Sequence, residues 1–184
     1  MTDGVNPAIV VTDAAAAVSE DQPYADPGDA DRAAAGAGLT RLVVGDLVGA
    51  AEVLPPLGLT LTDGADPVTG RGFAPALAET GTGRARGLYL ADASAPRRLC
   101  VAVPHSKFDA DCEQLALRLW RAVPGSILAM ATVHRRANRN DADPAYNTAS
   151  VFHDFWTGVL GRAGRAPEAR LELAPVLPRP QLIR

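Results

Sequence analysis

Three side chains that can bind a metal ion follow two neighbouring apolar segments of the chain. His105 comes after the apolar run 99–103, and Glu113 begins the helical pattern that follows it. His134 comes after the next apolar run, 126–133. The two runs predict strands, and the carboxyl ends of parallel strands meet at the sheet edge where α/β proteins bind ligands. Two histidines and one carboxylate leave one position of a zinc ion open for the water that it activates. We therefore predict that these three residues hold zinc.

Two aspartates are candidates for proton transfer or for orienting a ligand. Asp109 follows His105 closely in the chain, and it could orient the imidazole or replace Glu113 as a ligand. Asp143 lies in the polar loop 135–147 that follows the second predicted strand, and loops of this kind often line a site. We predict that Asp109 or Asp143 orients a ligand or the attacking water.

The same residues also have a structural interpretation. His105 could simply end a strand, Glu113 could stabilise a helix N-terminus through the helix dipole, and His134 could be a hydrogen-bonded surface residue. Nucleophilic catalysis is another alternative, although the candidate serines do not lie in a Gly-x-Ser-x-Gly turn. The candidate nucleophiles are Ser106, Ser150 and Cys112.

A strand–helix–strand unit positions these residues in the predicted fold. An aspartate before residue 112 can cap the helix, and Pro124-Gly125 ends it. Such a unit is a right-handed crossover between parallel strands. Residues 88–91 predict a strand that a hairpin connection joins to the run 99–103, and residues 148–160 predict an amphipathic helix. The fold class predicted is α/β, with a mixed, largely parallel sheet and helices on both faces, of a phosphorylase/hydrolase-like kind.

The chain divides into a leader and one domain in this interpretation. Residues 1–38 are rich in Ala, Asp, Gly and Pro and predict a flexible leader without a core of its own. Residues 39–184 predict a single α/β domain. Its end falls within the strand pattern 181–183, so we expect that C-terminal elements of a larger relative are missing. A last strand without a neighbour is an adhesive edge, which predicts a homo-oligomer.

The charge and hydropathy of the chain argue against several kinds of partner. With 18 basic and 21 acidic residues the net charge is −3, which argues against nucleic acid or an anionic membrane surface. No apolar run approaches the ~20 residues needed to cross a bilayer. The N-terminus lacks the basic and apolar regions of a secretory signal, so we expect a cytoplasmic protein.

Two arginines lie in the glycine-rich segment 79–87. Arg84 and Arg86 are solvated loop charges in the simpler interpretation. In the functional interpretation one of them reaches a substrate carboxylate, to which the guanidinium fork is suited. Arg84 is therefore a candidate for substrate binding.

The span 70–153 resembles a group of uncharacterised actinobacterial proteins. In the order of its segments it is similar to zinc hydrolases of the N-formylglutamate amidohydrolase and zinc-carboxypeptidase type. The motifs that carry the resemblance are Glu-Thr-Gly-Thr-Gly-Arg at 79–84, Val-Pro-His at 103–105 with Asp109 and Glu113, Pro124-Gly125, Val-His-Arg-Arg-Ala-Asn at 133–138, Asp-Pro-Ala-Tyr at 143–146 and Ser-Val-Phe-His at 150–153.

The resemblance implies a role for the matching residues. In such hydrolases a histidine and a glutamate after one strand, together with a later histidine, bind zinc, while an arginine holds the substrate carboxylate. His105 and Glu113 match the first pair, and His134 matches the later ligand. Arg135 or Arg136 would hold the carboxylate. The interval from His105 to Glu113 is longer than the usual His-x-x-Glu.

These observations predict a metal-dependent hydrolase that cleaves an amide or ester bond in a small carboxylate-bearing substrate. The alternative is a non-catalytic or degenerate α/β domain that keeps the fold and binds a ligand or a partner chain. Metal content and hydrolytic activity distinguish the two.

Overall fold

The structure, a computed structural model, describes residues 5–78, 86–163 and 169–172. Its helices are α1 (Pro7–Ala16), α2 (Asp29–Val44), α3 (Leu47–Val53), α4 (Cys112–Ala122) and α5 (Val151–Ala163), with short 3-10 turns at Pro55–Leu57 and Ala137–Asn140. Its strands are β1 (Leu59–Leu61), β2 (Gly64–Ala65), β3 (Gly72–Ala78), β4 (Leu88–Asp92), β5 (Leu99–Val103), β6 (Ser126–Met130) and β7 (Ala169–Glu172). Among the described residues, no helix is both long and apolar enough to span a membrane. Arg84 and the predicted strand 181–183 lie outside the described residues.

The strands form one mixed sheet in the order β1–β3–β4–β6–β5–β7, with β2 also paired to β3. The prediction of an α/β fold with a mixed sheet is confirmed. The prediction that the sheet is largely parallel is wrong, because four of the six strand pairings are antiparallel. The strands from β1 to β4 follow one another in the chain and are joined by short connections. Parallel pairing needs a long crossover, so these strands pair antiparallel.

The strand–helix–strand unit around the candidate residues is confirmed. β5 and β6 pair in parallel with α4 between them in the chain. The predicted hairpin between β4 and β5 is wrong, because β6 lies between them in the sheet. The connection from β4 to β5 instead packs against Gly125, where a Cβ atom would collide with the carbonyl of Pro96. Gly125 has a φ of 77°, which also favours glycine.

Successive side chains of the central strands enter two different cores. Tyr89 of β4 and Ile127 of β6 pack with side chains of α2, α3 and α5. Leu90 and Leu128, their neighbours in the chain, pack with side chains of α1 and α4. Strand residues alternate between the two faces of a sheet, and β4 and β6 are therefore buried along their whole length.

The first helices contribute to both cores, in contrast to the predicted leader. Val11 of α1 is fully buried in the core that contains α4. Ala35 and Leu39 of α2 are fully buried in the other core. The Lys107 ammonium donates to the carbonyl of Val18, just after α1, at 2.8 Å. Several of the buried positions here are alanines, and the apolar runs 8–11 and 14–18 are short.

A buried carboxylate ties the amino ends of β5 and β6 to the end of α4. Asp92, which is fully buried, accepts hydrogen bonds from the backbone N–H groups of Ser94 and Gly125. Its Oδ2 atom also lies 3.1 Å from Nη1 of Arg71. The Nη2 atom of Arg71 donates to the carbonyl of Arg121 at 2.7 Å. A buried carboxylate is stable only with such partners.

Replacing Asp92 by alanine is expected to destabilise the protein by about 3 kcal/mol, because it leaves the partly buried guanidinium of Arg71 and the buried N–H of Gly125 without this acceptor. Urea unfolding followed by circular dichroism measures the change. Asp63→Ala, at an exposed position, is the matched control and should change the free energy of unfolding by less than about 0.5 kcal/mol. Equal effects of the two substitutions would contradict the buried network.

Replacing Val11 by alanine is expected to cost about 2 kcal/mol of stability, because the lost methyl groups are fully buried. Ile9 lies on the same helix and is 57% exposed, so Ile9→Ala should have little effect. The same urea unfolding experiment compares the two variants. A neutral Val11→Ala would support the flexible leader that the sequence predicts.

Candidate functional site

The candidate residues gather where β5 and β6 end and β4 begins. The backbone N–H of Ala131, just after β6, donates to the carbonyl of Val103 at 2.9 Å. The Ser106 hydroxyl, beyond the end of β5, donates to the carbonyl of Ala131 at 2.8 Å. The N–H of Gly87, just before β4, donates to Oγ1 of Thr132 at 3.1 Å. These bonds join three chain segments at one edge of the sheet.

The imidazole of His105 lies between two carboxylates. Its Nε2 atom is 2.9 Å from Oδ1 of Asp143, which is hydrogen-bond distance. Its Nδ1 atom is 3.5 Å from Oδ2 of Asp109, one turn further along the chain. The side chain of His105 is 16% exposed, and that of Asp109 is more buried than that of Asp143. Both aspartates that the sequence singles out therefore contact the same histidine.

This arrangement favours proton transfer at His105. A carboxylate only accepts hydrogen bonds, so the ring can donate to both aspartates only when both of its nitrogens carry a proton. An imidazole oriented by a carboxylate is the usual arrangement of a general base.

A compact turn fixes the position of Asp143. Its Oδ1 atom accepts the backbone N–H of Ala145 at 3.0 Å, and its carbonyl accepts the N–H of Asn147 at 2.7 Å. The side chain of Asn147 donates to Oδ1 of Asp26 at 2.7 Å and to the hydroxyl of Tyr24 at 3.4 Å. Residues of the predicted leader therefore help to hold the loop that carries Asp143.

Gln22, in the N-terminal part of the chain, also forms hydrogen bonds with residues at this edge of the sheet. Its Nε2 atom donates to the carbonyl of Thr132 at 2.9 Å, and its Oε1 atom accepts the N–H of His134 at 3.3 Å. Sequence reasoning did not identify Gln22 or Tyr24. No local pattern marks them as site residues, since Thr132, His134 and Asn147, which they contact here, lie more than 100 residues away in the chain.

The predicted zinc ligands do not form one coordination group. The Nδ1 atom of His134 accepts the N–H of Arg136 at 3.2 Å, and both nitrogens of His105 face carboxylates. The Oε2 atom of Glu113 lies 3.7 Å from Sγ of Cys112. In the part of the chain that the structure describes, no group of three or more His, Cys, Asp or Glu side chains could hold a metal. Zinc binding therefore stays a prediction from the sequence, and no step of the reaction proposed below depends on it.

Two of the predicted carboxylate-binding arginines lie over an aromatic ring. The guanidinium carbons of Arg135 and Arg136 are 3.6 and 5.6 Å from the ring centre of Phe108, and the edge of His134 also faces this ring. Arg136 is exposed and lies 3.7 Å from Oε2 of the exposed Glu20. Both distances are within the range of cation–π contacts.

The alternative nucleophiles are poorly suited to attack. The Ser106 hydroxyl is buried and donates to a backbone carbonyl, so its proton is already engaged. Burial, together with the negative charges of Glu113 and Asp109, raises the pKa of Cys112 to about 12. The attacking form of a cysteine is the thiolate, which this environment disfavours.

Cys112 is expected to react very slowly with iodoacetamide in the native protein at pH 8. A thiol with a pKa of about 12 carries about a thousandfold less thiolate at pH 8 than an ordinary cysteine, and burial slows its alkylation further. Mass spectrometry of alkylated peptides measures the rate. The protein in urea is the control, where the thiol should react at an ordinary rate. Equal rates in the two states would restore Cys112 as a candidate nucleophile.

Comparison with known proteins does not assign the site. The chain matches no protein family, no curated protein and no solved structure. The resemblance to zinc hydrolases therefore stays a prediction from the sequence motifs. The geometry around His105 is therefore the evidence from which a function is proposed.

Proposed function

We propose that this protein hydrolyses an amide or ester bond in a small carboxylate-bearing molecule, with His105 as the general base. The observation that carries the proposal is the position of the His105 ring, between Asp109 and Asp143 at the carboxyl edge of β5. This is the edge at which open α/β sheets bind ligands.

The two aspartates have different roles in the proposed step. Asp109 is the more buried of the two, and it orients the ring through Nδ1. Asp143 belongs to a loop at the surface, and its side chain is 21% exposed. An attacking water takes the place of Asp143 at Nε2. The water oxygen bonds to the substrate carbonyl carbon, its proton passes to Nε2, and His105 then returns that proton to the leaving nitrogen or oxygen.

A ligand-binding domain without catalysis is the second candidate function. It is favoured by the 2.9 Å contact between Nε2 of His105 and Asp143, because this contact already occupies the nitrogen that a water would need. In that case the histidine holds the loop of Asp143 in place.

A cytoplasmic location and self-association through the last strand stay predictions from the sequence.

Hydrolysis of a panel of N-acyl amino acids and carboxylate esters tests the proposal. His105→Asn is expected to lower kcat/KM by about 100-fold or more, because it removes the general base. His134→Asn is the matched control, since this histidine is at the same edge and takes no part in the proposed step. Its kcat/KM, and that of wild-type protein in a chelator, should stay within about twofold of the untreated wild type.

Each other result points to a different function. Loss of activity in both histidine variants and in the chelator would support the zinc site that the sequence predicts, and would contradict a metal-independent base. Absence of hydrolysis by wild-type protein, with and without added zinc, would favour the ligand-binding domain.

A further inference from the structure

Arg86 is a buried cation with most of its hydrogen-bonding capacity unused. The residue is 6% exposed, and among the described residues neither Nε nor Nη1 has a hydrogen-bond partner. Within the described part of the chain its one acidic neighbour is Oδ2 of Asp31, 3.4 Å from Nη2, and the side chain of Asp31 is 57% exposed. Nε and Nη1 carry three of the five N–H donors of a guanidinium. Burying such donors without acceptors is costly, so the site favours an anion that accepts from them.

The groups around Arg86 limit the charge of a ligand that could bind there. Burial and the neighbouring Asp26 carboxylate raise the pKa of Tyr24, so that its hydroxyl stays neutral and donates to Asp26 at 3.0 Å. Burial likewise raises the pKa of Tyr89, whose hydroxyl donates to the carbonyl of Arg86 at 2.9 Å. The Asp31 carboxylate already lies near Arg86, and it opposes the double charge of a phosphate more than the single charge of a carboxylate.

The strand register brings Arg86 to the same edge as His105. Leu88 of β4 and Val103 of β5 are both opposite Met130 of β6. Arg86 comes two residues before Leu88, and His105 comes two residues after Val103. Neighbouring strands lie about 5 Å apart, so the two backbones are separated by about 10 Å across β6. A small molecule can extend over this distance.

A glycine sets the path of the chain at Arg86. Gly87 has a φ of 100°, a conformation that favours glycine. A Cβ atom at this position would lie 2.9 Å from the Tyr89 hydroxyl and 3.1 Å from the carbonyl of Met130. The chain therefore turns tightly into β4, and this turn determines where the side chain of Arg86 begins.

We propose that Arg86 binds the carboxylate of the small molecule that His105 acts upon. The identification of this molecule as a substrate rests on the proposed hydrolase function, whereas the binding of a monocarboxylate does not. Arg86 takes the role that the sequence resemblance assigns to Arg135 or Arg136, whose guanidinium carbons lie 3.6 and 5.6 Å from the ring centre of Phe108.

Nuclear magnetic resonance titration of the full chain tests this site, with butyrate as the probe because it has no bond to hydrolyse. Wild-type protein is expected to bind butyrate more tightly than inorganic phosphate. Arg86→Gln should weaken butyrate binding by about tenfold or more, since it removes a charge-assisted contact. Arg135→Gln is the matched control and should bind as the wild type does.

Asp31→Asn provides a second test that keeps Arg86 in place. The substitution removes the carboxylate that competes for Nη2, and the exposed position tolerates asparagine. We expect butyrate to bind about two- to fivefold more tightly to this variant. An unchanged affinity would contradict the site even if Arg86→Gln fails to fold, which thermal unfolding would detect.

The remaining outcomes separate the site from the proposed hydrolysis. Butyrate binding that persists in His105→Asn supports the carboxylate site, whatever the activity of the protein. Hydrolysis by a protein that binds butyrate equally well with and without Arg86 would overturn the site and leave the catalytic proposal intact. No butyrate binding by wild-type protein, or tighter binding of phosphate, would also overturn it.

Discussion

The pairing of β6 with a strand on each side is the constraint on which the candidate site depends. β4 runs against β6 and β5 runs with it. The start of β4 and the end of β5 therefore reach the same sheet edge, and both are in register with Met130. Arg86 precedes one strand and His105 follows another, and they lie at the same edge only because of this mixed pairing. A sheet of uniform direction would place them at opposite edges.

Buried charged groups have different numbers of hydrogen-bond partners at the two ends of the sheet. At the amino ends of β5 and β6, Asp92 is matched by Arg71 and by backbone N–H groups. Nearby, the buried Asp66 accepts two hydrogen bonds from Arg121, at 2.8 and 3.1 Å. At the other end, the guanidinium of Arg86 has two nitrogens without a partner among the described residues. Matched charges are expected of a structural network, whereas an unmatched buried charge is expected of a binding site.

The elements nearest the site were predictable from local patterns. Short apolar runs that end at polar residues predicted β4, β5 and β6, and Pro124-Gly125 marked the end of α4. α1 and the part of α2 before residue 39 were not predicted as part of the cores, because their apolar runs are short and rich in alanine. Strand order was also missed. The short connection after β4 does not indicate that β6 lies between β4 and β5, because strand order depends on how the whole sheet assembles.

The sequence by itself determined that His105, Asp109 and Asp143 follow strands or lie in loops, since polar residues after an apolar run depend only on local spacing. Only the tertiary structure decided which of them meet. Asp143 reaches His105 from 38 positions away because a turn and the residues around Tyr24 hold its loop. The same folding directs His134 toward Phe108 and buries Arg86. Contacts of this kind depend on strand order and loop packing, which no single stretch of sequence encodes.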